Sequence, residues 1–386
     1  MKMLSIVSIT ALAGLTAAAN AQVNLDLIKR IDVSSYNVDT SADFIGNNIN
    51  AVAWDGTNVY VSGFNNNAGT VPTDAGVAKI SNVLSTPSFG PAFARTSLPN
   101  FRGINSLAIQ GDNLAMSHDG TGTGATGTMR RQGLRVWNVA SNTQSWAIGD
   151  ATSLNDNTRS IYGASFDPGF NGAGPAQGVA GFSIGSGRRP LFNSNTGAKI
   201  YTFGPNTPVA GDVGGGIINF FVAATSWRDS AFDPATGDLY MRMSNRVGKI
   251  VRTGDNAFAG PMVGLGAFAD AIGFDFQNLA FVNSATAGNF LIANDRTSSG
   301  GGQAWNTVMK GLTTGGAAVT LNFLENGLPA VFANGVGAYD FSFHAPTNTL
   351  AVSDFANRAV YIFQIPTPGA AALLGLGGLV AFRRRR

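Results

Sequence analysis

The sequence predicts an all-β chain folded as a β-propeller of six four-stranded blades, closed by its own N-terminal strand. Three observations carry this expectation. The 386 residues include 50 Gly and 21 Asp but a single Glu, Glu325, whereas helix surfaces are usually filled with Glu, Lys and Ala, and Asp, Asn and Gly serve turns. A five-residue pattern recurs six times along the body. Each copy opens a hairpin, and further apolar segments after it complete a unit of four strands.

Taken in chain order, the first element is a leader. Lys2, an apolar run from Leu4 to Ala19 and the small-residue site Ala19-Asn20-Ala21 before Gln22 follow the order of a secretory signal peptide, with cleavage expected at Ala19 and Ala21. The chain holds no Cys, so an exported body has no disulfide framework and draws its stability from its core. Residues 27–33, Leu27 to Val33, read as a strand that supplies the sixth unit with its missing member.

The repeats follow. They are Asn50-Ala51-Val52-Ala53-Trp54, Asn105-Ser106-Leu107-Ala108-Ile109, Tyr162-Gly163-Ala164-Ser165-Phe166, Arg228-Asp229-Ser230-Ala231-Phe232, Gln277-Asn278-Leu279-Ala280-Phe281 and Tyr339-Asp340-Phe341-Ser342-Phe343. The fourth place is always Ala or Ser, which suits a crowded inner strand; the large fifth residue is expected to pack between blades. Turns such as Asp55-Gly56-Thr57-Asn58 come next, then a second apolar run, as in Val59 to Gly63 or Leu350 to Asp354. The last unit has only three strands, ending at Phe363, so an N-terminal fourth strand would remove an exposed edge. Residues 214–222 fit no unit, which leaves an insertion or a seventh, degenerate blade open.

The net charge of +3 comes from the ends. Without Lys2 and Arg383 to Arg386 the body has 20 basic and 22 acidic residues, a net of −2. No basic patch interleaved with aromatics supports nucleic-acid binding. Gly122-Thr123-Gly124-Ala125-Thr126-Gly127 matches a dinucleotide fingerprint in form but lacks the strand, helix and later acidic residue that give it meaning, and reads as a loop. His118 and His344 are too far apart to imply a zinc site, and no metal-ligand set or cofactor is indicated. Asp340, Ser342 and His344 alternate along one strand face about 6.5 Å apart, pointing in parallel rather than converging as a triad does.

Antiparallel strands bring the start of each inner strand and the end of the next to one face. That rule collects Asn50, Asn105, Arg228, Asp229, Asn278 and Asp340 with His118, Asp119, Asn294, Asp295, Arg296 and Asp354 as a candidate ligand-binding channel mouth. The expected function is a non-catalytic exported binding or scaffold module; the alternative is a channel-mouth hydrolase or lyase acting on an extracellular carbohydrate or lactone.

The last residues have three parts: Pro366-Thr367-Pro368, an apolar stretch from Gly369 to Phe382, and four Arg. Fourteen residues span about 21 Å as a helix, short of the ~30 Å hydrocarbon core, and the Arg cluster should stay cytoplasmic with the folded body outside. The order resembles the PEP-CTERM sorting signal of Gram-negative bacteria, with Pro-Thr-Pro in place of Pro-Glu-Pro. That resemblance implies transient inner-membrane insertion and an exosortase-like sorting enzyme as partner, with delivery to the envelope or extracellular matrix. Extracellular polysaccharide or envelope proteins are the further expected partners, and the protein is expected to be a monomer. The body resembles six-bladed NHL-like and strictosidine-synthase-like propellers in architecture. It departs from the gluconolactonase type, which holds a divalent metal with Glu, Asn and Asp, because Glu325 follows a fourth strand.

Overall fold

The computed structural model describes residues 21–36, 44–46, 48–64, 75–96, 101–120, 133–148, 161–172, 178–183, 189–193, 199–203, 227–243, 246–255, 257–267, 278–294, 309–331 and 340–366. The expected leader (1–20), the sorting tail from Thr367 onward, the glycine-rich loop 122–127 and the block 214–222 lie outside the described residues. Among the described residues no helix is long and apolar enough to cross a membrane.

The first strand is β1 (Ala21–Asp32). Blade one contains β2 (Asn48–Trp54), β3 (Val59–Phe64) and β4 (Ala75–Ser81), then a broken outer edge of β5 (Ser88–Phe89) and β6 (Phe93–Thr96), both paired with β4. Blade two is β7 (Phe101–Gln110), β8 (Asn113–Gly120), β9 (Gly133–Asn138) and β10 (Thr143–Ile148). Blade three is β11 (Ile161–Asp167), β12 (Gly178–Ser183), β13 (Arg189–Asn193) and β14 (Lys199–Phe203); blade four is β15 (Trp227–Phe232), β16 (Leu239–Met243), β17 (Arg246–Gly254) and β18 (Ala257–Ala267). Blade five is β19 (Leu279–Ser284), β20 (Gly288–Asn294), β21 (Met309–Thr313) and β22 (Ala318–Glu325), with the short β23 (Leu328–Pro329) on β22. Blade six is β24 (Phe341–His344), β25 (Thr349–Asp354) and β26 (Ala359–Gln364).

Six blades are thus present among the described residues, and their inner strands form a closed ring. β2 touches β7, β7 touches β11, β11 touches β15, β15 touches β19, β19 touches β24, and β24 returns to β2. The N-terminal strand closes it as expected, because Asp26 to Asp32 pair antiparallel with β26 as the fourth strand of blade six. The strand begins earlier than residues 27–33, however. Ala21 to Asp26 pair in parallel with Val319 to Leu324 of β22, so β1 also joins blade six to blade five.

Core packing explains why both faces of these strands are apolar. Successive side chains on a strand point to opposite faces, and in a propeller each face meets a neighbouring blade. Along β26, Ala359, Tyr361 and Phe363 enter the layer shared with blade five, while Val360 and Ile362 enter the layer shared with blade one. β1 shows the same logic with a switch. Val23 and Leu25 pack in the first layer and Ile31 and Val33 in the second, although all four are odd-numbered. A bulge between Leu27 and Lys29 shifts the alternation by one residue and reverses the faces.

Side-chain caps hold the turns. Asp55 Oδ1 accepts from the Thr57 and Asn58 amides at 2.8 and 2.6 Å, Asn138 Oδ1 from Ala140 and Ser141, and Ser284 Oγ from Thr286 and Ala287. These Asx and Ser turns are what an Asp- and Asn-rich sequence supplies. Between blades three and four, Arg252 forms a fully buried ion pair with Asp167, whose Oδ1 also accepts from the Gly169 amide. Gly237 (φ +79°) lies against that guanidinium stem, where a Cβ would come within 2.7 Å of Arg252 Cδ.

Candidate functional site

An inner strand has one edge paired with its blade and the other facing the axis, so its outward N–H groups need acceptors that the sheet does not supply. The repeat's second place supplies them. Ser106 Oγ accepts from the Ala164 amide at 3.2 Å, Asp229 Oδ2 from the Leu279 amide at 2.8 Å, and Asp340 Oδ2 from the Val52 amide at 2.8 Å. In all three cases a second-place side chain holds the third-place amide of the next blade, from two to three, four to five and six to one.

The alternate junctions use other groups. Asn50 Nδ2 donates to the Asn105 carbonyl at 3.0 Å, the Ser165 and Ser230 hydroxyls meet at 2.5 Å, and Asn278 Nδ2 donates to Asp340 Oδ1 at 3.1 Å. Junctions four to five and six to one carry extra contacts. Arg242 Nη2 donates to the Asn294 carbonyl at 2.9 Å; the Trp54 amide donates to Ser342 Oγ at 2.9 Å and its indole N–H to Thr349 Oγ1 at 2.7 Å. Every blade is therefore tied to the next by at least one side chain near the axis.

A bulge recurs at the start of the inner strands in four blades. The ladder between first and second strands skips Asn50 in blade one, Asn105 in blade two, Gly163 in blade three and Arg228 in blade four. An unpaired residue there turns its side chain out of the strand's alternation. At Gly163 the backbone takes φ +71°, a conformation that glycine adopts without a Cβ penalty.

The residues expected at a channel mouth are distributed as follows. Asn50, Asn105, His118, Asp229, Asn278, Asn294 and Asp340 are all buried, between 1% and 7% exposed. Asp354 caps the turn between β25 and β26 through the Ala356 and Asn357 amides. Asp119 lies on β8 and Arg228 on β15, with side chains outside the description; Asp295 and Arg296 lie outside the described residues. Asp340, Ser342 and His344 make no hydrogen bond to one another among the described residues, as Asp340 and Ser342 serve blade one and His344 Nδ1 meets Thr347 Oγ1 at 2.8 Å.

The electrostatics follow from burial. Burial pushes the Asp229 carboxyl well above the usual carboxylate range, Asp340's charge adds to the effect, and the Leu279 and Ser230 amides oppose it. Asp340 is pushed up to about 7 by burial, against the pull of the Val52 amide, Asn278 and the Phe341 and Leu107 amides. His118 is held well below its ordinary value by burial and by Arg135, so its imidazole is neutral at pH 7. Among the described residues no group of three or more His, Cys, Asp or Glu side chains is placed to hold a metal.

A cavity of about 490 Å³ occupies the axis between blades two and six. Its inner end is polar, with Ser106, Asp229, Ser230 and Asp340 all buried. Its outer end is a collar of fifth-place residues, Ile109, Phe166, Phe232, Phe281 and Phe343. Exposure rises toward the turns beyond the collar, at Gln110, Pro234 and Pro346, so the cavity opens there. The fifth-place residues thus do more than pack between blades: Phe281 contacts Tyr240 of blade four at 5.6 Å and also lines the axis.

No family model matches the chain, and no curated protein matches it. Solved structures are similar to it at low identity. An auxiliary nutrient binding protein from Bacteroides thetaiotaomicron is 11% identical, with a TM-score of 0.49, over 82% of this chain and 68% of that one. The Pan2 WD40 domain of Neurospora crassa is 8% identical, with a TM-score of 0.47, over 88% and 95%. The Cps50 (Swd1) β-propeller domain of Myceliophteria thermophila is 9% identical, with a TM-score of 0.41, over 82% and 84%. The assignment as a six-bladed propeller rests on the strand pairing and the closed ring of inner strands described above.

Proposed function

We propose that this protein is a non-catalytic, exported binding or scaffold propeller that works at the cell envelope or in the extracellular matrix. One observation carries the non-catalytic reading: the carboxylates and hydroxyls gathered at the axis are engaged as acceptors for neighbouring blades. A nucleophile or base must take up and release a proton at a reacting atom, whereas these groups hold backbone N–H groups of the neighbouring blades. Export is supported by the leader pattern, whose cleavage after Ala21 would place Gln22 at the head of β1. Envelope delivery is supported by the Pro-Thr-Pro, apolar and Arg order of the tail and by its likeness to a PEP-CTERM signal, with an exosortase-like enzyme as processing partner.

A second reading has a specific observation in its favour. Asp340, at about 7 beside Asp229, has the proton affinity of a neutral-pH general acid and borders a cavity, as a hydrolase or lyase acting on a carbohydrate or lactone would require. Incubation of the purified protein and of Asp340→Asn with chromogenic glycosides and lactones separates the two. The scaffold reading expects no turnover in either; turnover by the native protein that disappears in the variant would establish the enzyme.

A further inference from the structure

We propose that the axial cavity binds a small organic ammonium ion carrying a flat apolar body, with the cation at Asp229 and Asp340 and the body inside the phenylalanine collar. This deepens the binding reading above and rests on it. The volume of about 490 Å³ falls within the range of small-ligand pockets. Its two ends differ in chemistry, and they are three residues apart along each inner strand, about 10 Å. The occupant is therefore elongated, polar at one tip and apolar at the other.

Charge complementarity selects the tip. Among the described residues neither Asp229 nor Asp340 forms an ion pair. Asp229 Oδ1 accepts from the Ser230 amide at 2.8 Å and Oδ2 from the Leu279 amide at 2.8 Å. A carboxylate offers about four lone-pair directions, so acceptor capacity remains on Asp229, whereas Asp340 already accepts from Asn278 Nδ2 and the Phe341 amide at Oδ1 and from the Val52 amide at Oδ2, and contributes its charge. The other ionisable groups on the strands packed against the pair are otherwise engaged. Arg242 of β16, opposite Asp229 in the ladder, donates to the Asn294 carbonyl; Asp167 at the end of β11 holds Arg252; Asp354 at the end of β25 caps a turn; and His344 at the end of β24 meets Thr347. The side chain of Arg228, on β15 itself, is outside the description.

The collar selects the body. Phe166, Phe232, Phe281 and Phe343 line the collar without a polar handle, which suits an aryl or alkyl group and an incoming cation. Because burial raises the proton affinity of both carboxyls, with Asp340 at about 7, ammonium entry below pH 7 expels a proton to solvent, and the N–H⁺ of the ligand replaces it with no bond broken in the ligand.

The test is calorimetry on the purified protein with 4-phenylbutylammonium, and with 4-phenylbutanol as its neutral counterpart. The ammonium should bind at least tenfold more tightly than the alcohol, and its affinity should fall about tenfold per pH unit below 7. Phe166→Ala, which leaves every hydrogen bond described between blades in place, should weaken it by about tenfold or more, and Asp229→Asn should abolish the preference over the alcohol. Equal binding of amine and alcohol, no binding of the amine, or retained affinity in Phe166→Ala would each overturn the proposal. Recovery of the probe by NMR distinguishes the two levels of claim: a probe consumed on incubation contradicts the non-catalytic reading, whereas an intact but unbound probe contradicts only the ligand assignment.

Discussion

Asp229 and Asp340 show how far the environment of a residue can depart from what its type suggests. Two carboxyls at the centre of a ring of strands look like catalytic or metal-binding groups, yet each holds an amide of the next blade, and burial raises its proton affinity despite those bonds. The sign of the consequence is definite. A carboxyl whose folded-state pKa lies above its unfolded value of 3.8 binds more protons when folded, so its contribution is complete below about pH 4 and is lost as pH rises toward about 7. Chemical denaturation between pH 4.5 and 8 should therefore show stability falling with pH, by up to ~1.4 kcal/mol per pH unit for one proton. Asp229→Asn should flatten that slope, and an unchanged slope would show that the pair does not titrate in this window. Ser106→Ala removes the acceptor of the buried Ala164 amide and should cost about 1–3 kcal/mol, measured by the same denaturation at pH 7.

At the scale of elements, β1 is the part whose loss matters most. It covers the outer edges of two blades, pairing with β22 on one side and β26 on the other, and it places Leu25, fully buried, beside Phe323 and Phe363. Leu25→Ala should destabilise the whole domain by about 2–5 kcal/mol, and deletion of Gln22 to Val33 should abolish cooperative melting of the intact ring. Melting that stays cooperative and unshifted after the deletion would mean that the ring closes elsewhere. The second half of β1 was legible in the sequence, because three apolar strands before the tail implied a missing fourth. The first half was not, since a parallel partner 298 residues away leaves no local signal and the bulge at Ile28 breaks the alternation that would have exposed it. The six hairpins were legible because turn residues and apolar runs recur at short range. The bonds between blades were hidden: Ser106, Asp229 and Asp340 look like ordinary strand-end polar residues, and their amide partners are 50 to 288 positions distant. The residues expected to gather at the strand starts are buried where they are described, and the cavity that Asp229 and Asp340 line opens at the strand ends.

At the scale of the whole molecule, the body is a ring of apolar layers between blades, pinned at its axis by side-chain hydrogen bonds and closed by one strand, between two terminal segments read here as addresses. If both addresses are removed, the net charge changes from +3 to −2, and intact mass of the envelope and extracellular protein should show a chain that begins at Gln22 and ends near Pro368. Arg383 to Arg386 still present on released protein would instead mark the tail as a membrane anchor. The central claim concerns the axis, where polar repeat residues hold the blades together. Amide hydrogen exchange tests it most directly, through the Val52, Ala164 and Leu279 amides. All three should exchange as slowly as the amides of the central strands, and Ser106→Ala should accelerate Ala164 while leaving Leu279 unchanged. Rapid, loop-like exchange of the three amides in the native protein would contradict the account.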